Sequence, residues 1–92
     1  MAIKPQINFN MNEDYSSIYK KIGQTIKDKR KERGLTQQQL ADLIPKLDRA
    51  KISDMENGKE DFHISTLIKI SIALGTELQT ILKNLSKDNS FK

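Results

Sequence analysis

Apolar residues recur along this chain with the period of a helix. Tyr15, Ile18, Ile22 and Ile26 are spaced by three and four residues, which predicts a helix running from Asp14. Lys29, Arg30, Lys31 and Arg33 then precede Gly34, cations and a glycine that suit a helix C-terminus. In "TQQQLADLI", Thr36 is a good N-cap and Gln39, three residues on, completes a capping box. The pattern predicts a second helix over 36–44, with Leu40, Leu43 and Ile44 as its buried stripe beside the small Ala41. Pro45 disfavours the α region for Ile44, so this helix stops near Leu43.

Asp48 is placed to cap a third helix, about 49–56, whose inward residues are Ile52 and Met55 and whose stop is Asn57-Gly58. A fourth stripe, Ile64, Leu67, Ile68 (or Ser71) and Leu74, ends at Gly75. Thr76 and Gln79 offer another capping box, opening a fifth helix with Leu78, Ile81, Leu82 and Leu85. No alternating pattern of the strand type is present. The expectation is an all-α fold, five helices around one small core.

The ends are different in kind. Residues 1–13 mix Pro, Asn and Gln without periodicity and read as a flexible N-terminal arm, and residues 86–92 read as a flexible C-terminal tail. Residues 14–85 then form the domain, an ordinary size for one. Sixteen Lys and Arg against twelve Asp and Glu give a net charge of +4, which permits a polyanionic partner without demanding one. The absence of cysteine excludes disulfides and thiolate metal sites. No apolar run reaches the roughly 18 residues of a membrane span, and the start lacks an apolar signal core. A cytoplasmic protein without membrane association is expected.

The order of these pieces adds a further reading. "IGQTIKDKRKERGLTQQQLADLI", then "ISDMENGK", then "TLIKISIALGTELQTIL" resemble the Cro/C1-type helix-turn-helix family of phage-repressor-like DNA-binding domains. The resemblance spans Ile22 to Leu82, and it rests on the succession of motifs, since any one alone is weak. It implies a five-helix, repressor-like domain whose third helix enters the major groove of double-stranded DNA. The residues read alone agree with it. The third helix buries little and turns Arg49, Ala50, Lys51, Ser53 and Asp54 outward. The chain departs from the family pattern in a turn, "IPKLD", that is one residue longer and lacks the usual glycine. It also carries Glu60 and Asp61 where many members carry basic residues.

Each residue so placed has a sharp and a plain reading. Arg49 can donate two bonds to guanine O6 and N7, or be a phosphate contact or a solvated side chain. Ala50 can lie against a thymine methyl, or simply favour the helix. Asp54 can accept from cytosine N4, or pair with a nearby lysine. Lys51 and Ser53 suit phosphate or water-mediated contacts. The resemblance implies that Gln37, with the helix N-terminus behind it, holds a phosphate, and Asn57, Gly58 and Lys59 carry the same backbone-contacting expectation. Either Arg30 or Arg33 is placed to pair with Glu56. His63 has no second histidine or cysteine to complete a metal site and is expected to be structural. Neither a catalytic triad nor a Gly-rich phosphate loop is present, so no enzyme activity, metal or cofactor is expected.

The function expected is sequence-specific DNA binding by a transcriptional regulator, a repressor acting as a homodimer. Leu78, Ile81, Leu82 and Leu85 are the dimerisation residues expected, with part of that stripe needed for the protomer's own core. The rival is a protein-interaction module on the same scaffold, for example an antitoxin that binds a protein partner. Arg49, Lys51 and Lys59 favour DNA, whereas Glu60 and Asp61 favour the rival.

Overall fold

The structure is a computed structural model and describes residues 15–59 and 61–83. The expected arm, the expected tail, Asp14, Glu60 and Leu85 lie outside the described residues. Five helices follow one another without a strand among the described residues: α1 (Ser16–Glu32), α2 (Gln37–Asp42), α3 (Arg49–Glu56), α4 (Ile64–Ala73) and α5 (Leu78–Leu82).

The same device ends α1, α3 and α4. Gly34, Gly58 and Gly75 each take a left-handed conformation, with φ of 69°, 64° and 66°. The N–H of the residue after each glycine reaches back to a carbonyl five residues earlier: Leu35 to Arg30, Lys59 to Asp54, Thr76 to Ser71. These are Schellman caps, which satisfy carbonyls the helix leaves open. The helix starts follow the sequence in two places. Thr36 Oγ1 accepts from Gln39 N–H at 3.0 Å while the Thr36 N–H donates to Gln39 Oε1 at 2.8 Å. Asp48 Oδ1 accepts from Lys51 N–H at 2.8 Å.

At α5 the capping expectation fails. The helix is capped by Glu77 without a side-chain bond, not by Thr76 with Gln79. Thr76 N–H is already committed to Ser71 as the last bond of the α4 cap, so Thr76 finishes one helix and the next begins a residue later.

The core consists of Ile22, Ile26, Leu40, Ala41, Ile44, Ile52, Met55, Leu67, Ile70, Leu74 and Ile81. Four expected stripe positions differ from this. Tyr15 precedes α1 and is exposed. Leu43 is 56% exposed, because α2 ends at Asp42 and its inward face is centred on Leu40, Ala41 and Ile44. In α4, Ile64 and Ile68 are exposed, and the inward face is Leu67, Ile70, Ser71 and Leu74. That set has the i, i+3, i+4, i+7 spacing of a single stripe. Its small polar member is tolerated because Ser71 Oγ donates to the Ile68 carbonyl at 2.7 Å. α4 is apolar on nearly every side, so its periodicity alone leaves the choice of face open.

The long turn between α2 and α3 resolves without glycine. Lys46 takes the left-handed conformation, with φ of 66°. Leu47 then folds back, its N–H donating to the Ile44 carbonyl at 3.2 Å, and it packs partly buried against the core. A non-glycine residue at positive φ is uncommon and costs some energy. Here the turn places Asp48 where it can cap α3.

Candidate nucleic-acid interface

The C-terminal end of α3 is held from three sides. Gly23 of α1 faces the carbonyls of Met55 and Glu56 so closely that a Cβ at that position would collide with both. Gly58 is buried against the α1 backbone, where an added Cβ would stand 2.6 Å from the Lys20 nitrogen. A close approach of two backbones requires glycine at both points.

The third hold is a buried ion pair. Arg30 Nε donates to Glu56 Oε2 at 2.6 Å and Arg30 Nη2 to Glu56 Oε1 at 3.0 Å, the two-pronged geometry that guanidinium and carboxylate share. Arg30 Nη1 donates to the Leu35 carbonyl at 2.7 Å, and Gln37 Nε2 donates to Glu56 Oε1 at 3.1 Å. One network therefore ties α1, the α1–α2 loop, the start of α2 and the end of α3. Of the two arginines suggested by the sequence, Arg30 is the partner of Glu56. Arg33 lies instead along Gly75.

The other end of α3 is open. Arg49 and Ala50 are exposed, and Lys51, Ser53 and Asp54 are half-buried on the same outward side. Arg49 has no side-chain hydrogen bond or ion pair among the described residues. Asp54 does have one: its Oδ1 lies 4.0 Å from Lys59 Nζ. The structure thus brings together a residue expected to read a base and one expected to hold a phosphate.

The remaining expected residues fall into different roles. Gln37 keeps its place at the start of α2, yet one amide N–H is engaged by Glu56. Asn57 is exposed and donates from Nδ2 to the Ser53 carbonyl at 2.9 Å, while Gly58 N–H is bonded to the Met55 carbonyl. The visible role of Gly58 is packing and helix termination. Ile81 is 1% exposed and belongs to the protomer's own core, so it offers no surface to a second copy. Leu78 and Leu82 are partly buried against that core. His63 is the N-cap residue of α4, a structural position without a side-chain cap bond.

Beyond α3 the loop is anchored to α1. The rings of Tyr19 and Phe62 meet edge to face, 5.9 Å apart at 83°. Burial first, and then the Asp61 carboxylate to which the hydroxyl is hydrogen-bonded, push the Tyr19 phenol above its ordinary value. Asp61 also accepts from the Phe62 N–H at 2.8 Å. Of the two acidic residues after Lys59, the one described is therefore turned toward α1.

Gly23 and Lys46 were not singled out by sequence reasoning. A lone glycine inside a helical pattern was the available signal for the first. No group of three or more His, Cys, Asp or Glu that could hold a metal occurs among the described residues, and none of their helices is long and apolar enough to cross a membrane.

Known proteins place this geometry. The sequence model of the Helix-turn-helix family matches residues 26–81. The ImmF control region 10 kDa protein of Bacillus phage phi105 is 39% identical over 62 residues, which are 67% of this chain and 68% of that protein. The restriction-modification controller protein C.AhdI from Aeromonas hydrophila superposes with a TM-score of 0.69 at 29% identity, covering 75% of this chain and 99% of its own. The clp gene regulator ClgR from Corynebacterium glutamicum shares the fold, with a TM-score of 0.70 at 20% identity over 76% of this chain and 73% of that one. A capped helix pair, a clamped third helix with an open polar face, and these likenesses agree: the chain belongs to the Cro/C1-type helix-turn-helix family and is a DNA-binding transcriptional regulator, not an enzyme.

Proposed function

We propose that the outward face of α3 reads an operator in the major groove, with Arg49, Ala50 and Asp54 at base edges. Lys51, Ser53, Asn57, Lys59 and the start of α2 at Gln37 lie along the phosphates. The observation that carries this reading is the contrast within α3: a C-terminal end fixed by Gly23, Gly58 and the Arg30–Glu56 pair, and an N-terminal end on which Arg49 is exposed and, among the described residues, unpaired. Rigid support behind a free polar face is what direct readout needs, because base contacts are made only at hydrogen-bond distance.

Repression is the regulatory sense this reading favours, since a module seated in the major groove of an operator keeps other proteins off that stretch of DNA. A single module of this type covers about 600–1,000 Å² of protein surface on DNA, too little for selection in a genome. Two copies on a two-fold axis, with α3 helices about 34–36 Å apart, double the site. The homodimer is expected to be weak, because Ile81 is taken by the core and only Leu78 and Leu82 of the described stripe retain exposed surface. Selection of bound sequences from a random DNA pool tests the function. A pseudo-palindrome with half-site centres roughly 10 base pairs apart is expected. Recovery of no consensus would overturn it.

A second reading has one observation in its favour. Leu43, Pro45 and Ile72 line a shallow cleft of about 190 Å³ between the α2–α3 turn and α4, and Ile72 is 73% exposed. Exposed apolar residues gathered at a cleft suit a protein partner, as an antitoxin-type module would need. Sedimentation of the protein alone and with operator separates a DNA-bound dimer from a protein whose apolar face drives association without DNA.

A further inference from the structure

The Asp54–Lys59 pair joins two residues that, in the reading above, have opposite relations to DNA. Lys59 follows the left-handed Gly58, and the Schellman bond from its N–H to the Asp54 carbonyl, 3.0 Å, fixes its backbone beside Asp54. The side chains meet as a consequence of that cap, Nζ to Oδ1 at 4.0 Å, with 66% of the Lys59 and 45% of the Asp54 side chain exposed. An exposed pair of this length is weak. It is therefore exchangeable: either member can leave for a better partner.

We propose that Asp54 makes the phosphate contact of Lys59 conditional on the base it meets. On arbitrary DNA the carboxylate remains the neighbour of Lys59, offsets its charge and repels the phosphates nearby. A cytosine at the facing position supplies an N4 amino donor that occupies the carboxylate. Lys59 then turns to the phosphate, and a base contact and a backbone contact form together. Guanine and thymine present only acceptors at the corresponding edge and leave Asp54 unsatisfied. The device lowers non-specific affinity more than operator affinity, which raises the ratio between them. It rests on the groove reading of α3 and names which residue in that face supplies discrimination against the wrong site.

The test uses the full chain and two duplexes, one selected from a random pool by the wild type and one of unrelated sequence. Binding is measured across a salt series for the wild type, Asp54→Asn, Lys59→Ala and the double variant. The Asp54 backbone carbonyl makes the cap bond, so both side-chain changes leave the cap in place, and circular dichroism confirms folding. On the unrelated duplex, Asp54→Asn is expected to tighten binding several-fold and to steepen the slope of log K against log salt by about one, the value of one freed cation. Lys59→Ala should leave the slope there nearly unchanged, and the double variant should share that slope. On the selected duplex, Lys59→Ala should flatten the slope by about one. Pool selection with Asp54→Asn should replace cytosine by adenine at one position per half-site, since asparagine pairs with adenine N6 and N7. Equal slope changes for Lys59→Ala on the two duplexes, or no gain from Asp54→Asn on the unrelated one, overturn the proposal while leaving the groove reading intact. A wild type that binds both duplexes alike overturns the groove reading, and this inference with it.

Discussion

The two ends of the eight-residue helix α3 are opposite in construction. Around Met55, Glu56 and Gly58 the helix is enclosed: two glycine contacts bring backbone against backbone, and a guanidinium and an amide converge on one buried carboxylate. Around Arg49 and Ala50 it is exposed, and the Asp48 cap ties its first turn. The difference shows where orientation is determined and where selectivity is left free to vary. Positional accuracy at the exposed end is set by packing at the buried one, so side chains at the reading end can change without loss of fold.

The largest effect expected from breaking this comparison is at Glu56. Glu56→Ala leaves the Arg30 charge buried without its partner, which should cost about 3–5 kcal/mol, visible as a lower midpoint in urea. That is a large share of the roughly 5–15 kcal/mol of a domain this size. Gly23→Ala comes next. A helix gains up to about 1 kcal/mol from the exchange, but the methyl meets two backbone carbonyls that cannot swing aside, so a net loss of about 1–3 kcal/mol is expected. Asp48→Ala removes the cap of the open end and should cost about 1 kcal/mol, with a similar figure for Thr36→Ala at α2. Smallest is Arg49→Ala, whose effect on stability should stay within about 0.5 kcal/mol. A stability loss at Arg49 as large as that at Gly23 would erase the distinction between the two ends.

How much of this was legible in the sequence follows the same division. The number and order of helices, the caps at Thr36 and Asp48, and the stops at Gly34, Gly58 and Gly75 depend on local chemistry, which a sequence displays directly. The outward set on α3 was legible because Ile52 and Met55 leave little doubt about its inward side. Three features depended on what lies across the core. Leu43 and Ile44 are adjacent apolar residues, and only the packing of α2 decides that Ile44 is covered and Leu43 left out. α4 is apolar enough for several faces, and its neighbours select the one with Ser71 and Ile70. Gly23 shows no distinctive neighbours in sequence, because the carbonyls it accommodates come from α3, more than thirty residues away. At the interface itself, the sequence offered Asp54 both a cytosine and a nearby lysine, and the cap that carries Lys59 beside it identifies the lysine within reach.

The central claim is that α3 selects sequence with its open end. Its most direct measurement is the ratio of affinities of Arg49→Ala for the selected and the unrelated duplex, against the same ratio for the wild type at one salt concentration. The account predicts a fall in that ratio equivalent to about 1–3 kcal/mol at one base position, with the melting temperature unchanged. A variant that loses the same factor on both duplexes, keeping the wild-type ratio, would contradict it and reduce Arg49 to a contact with the phosphate backbone.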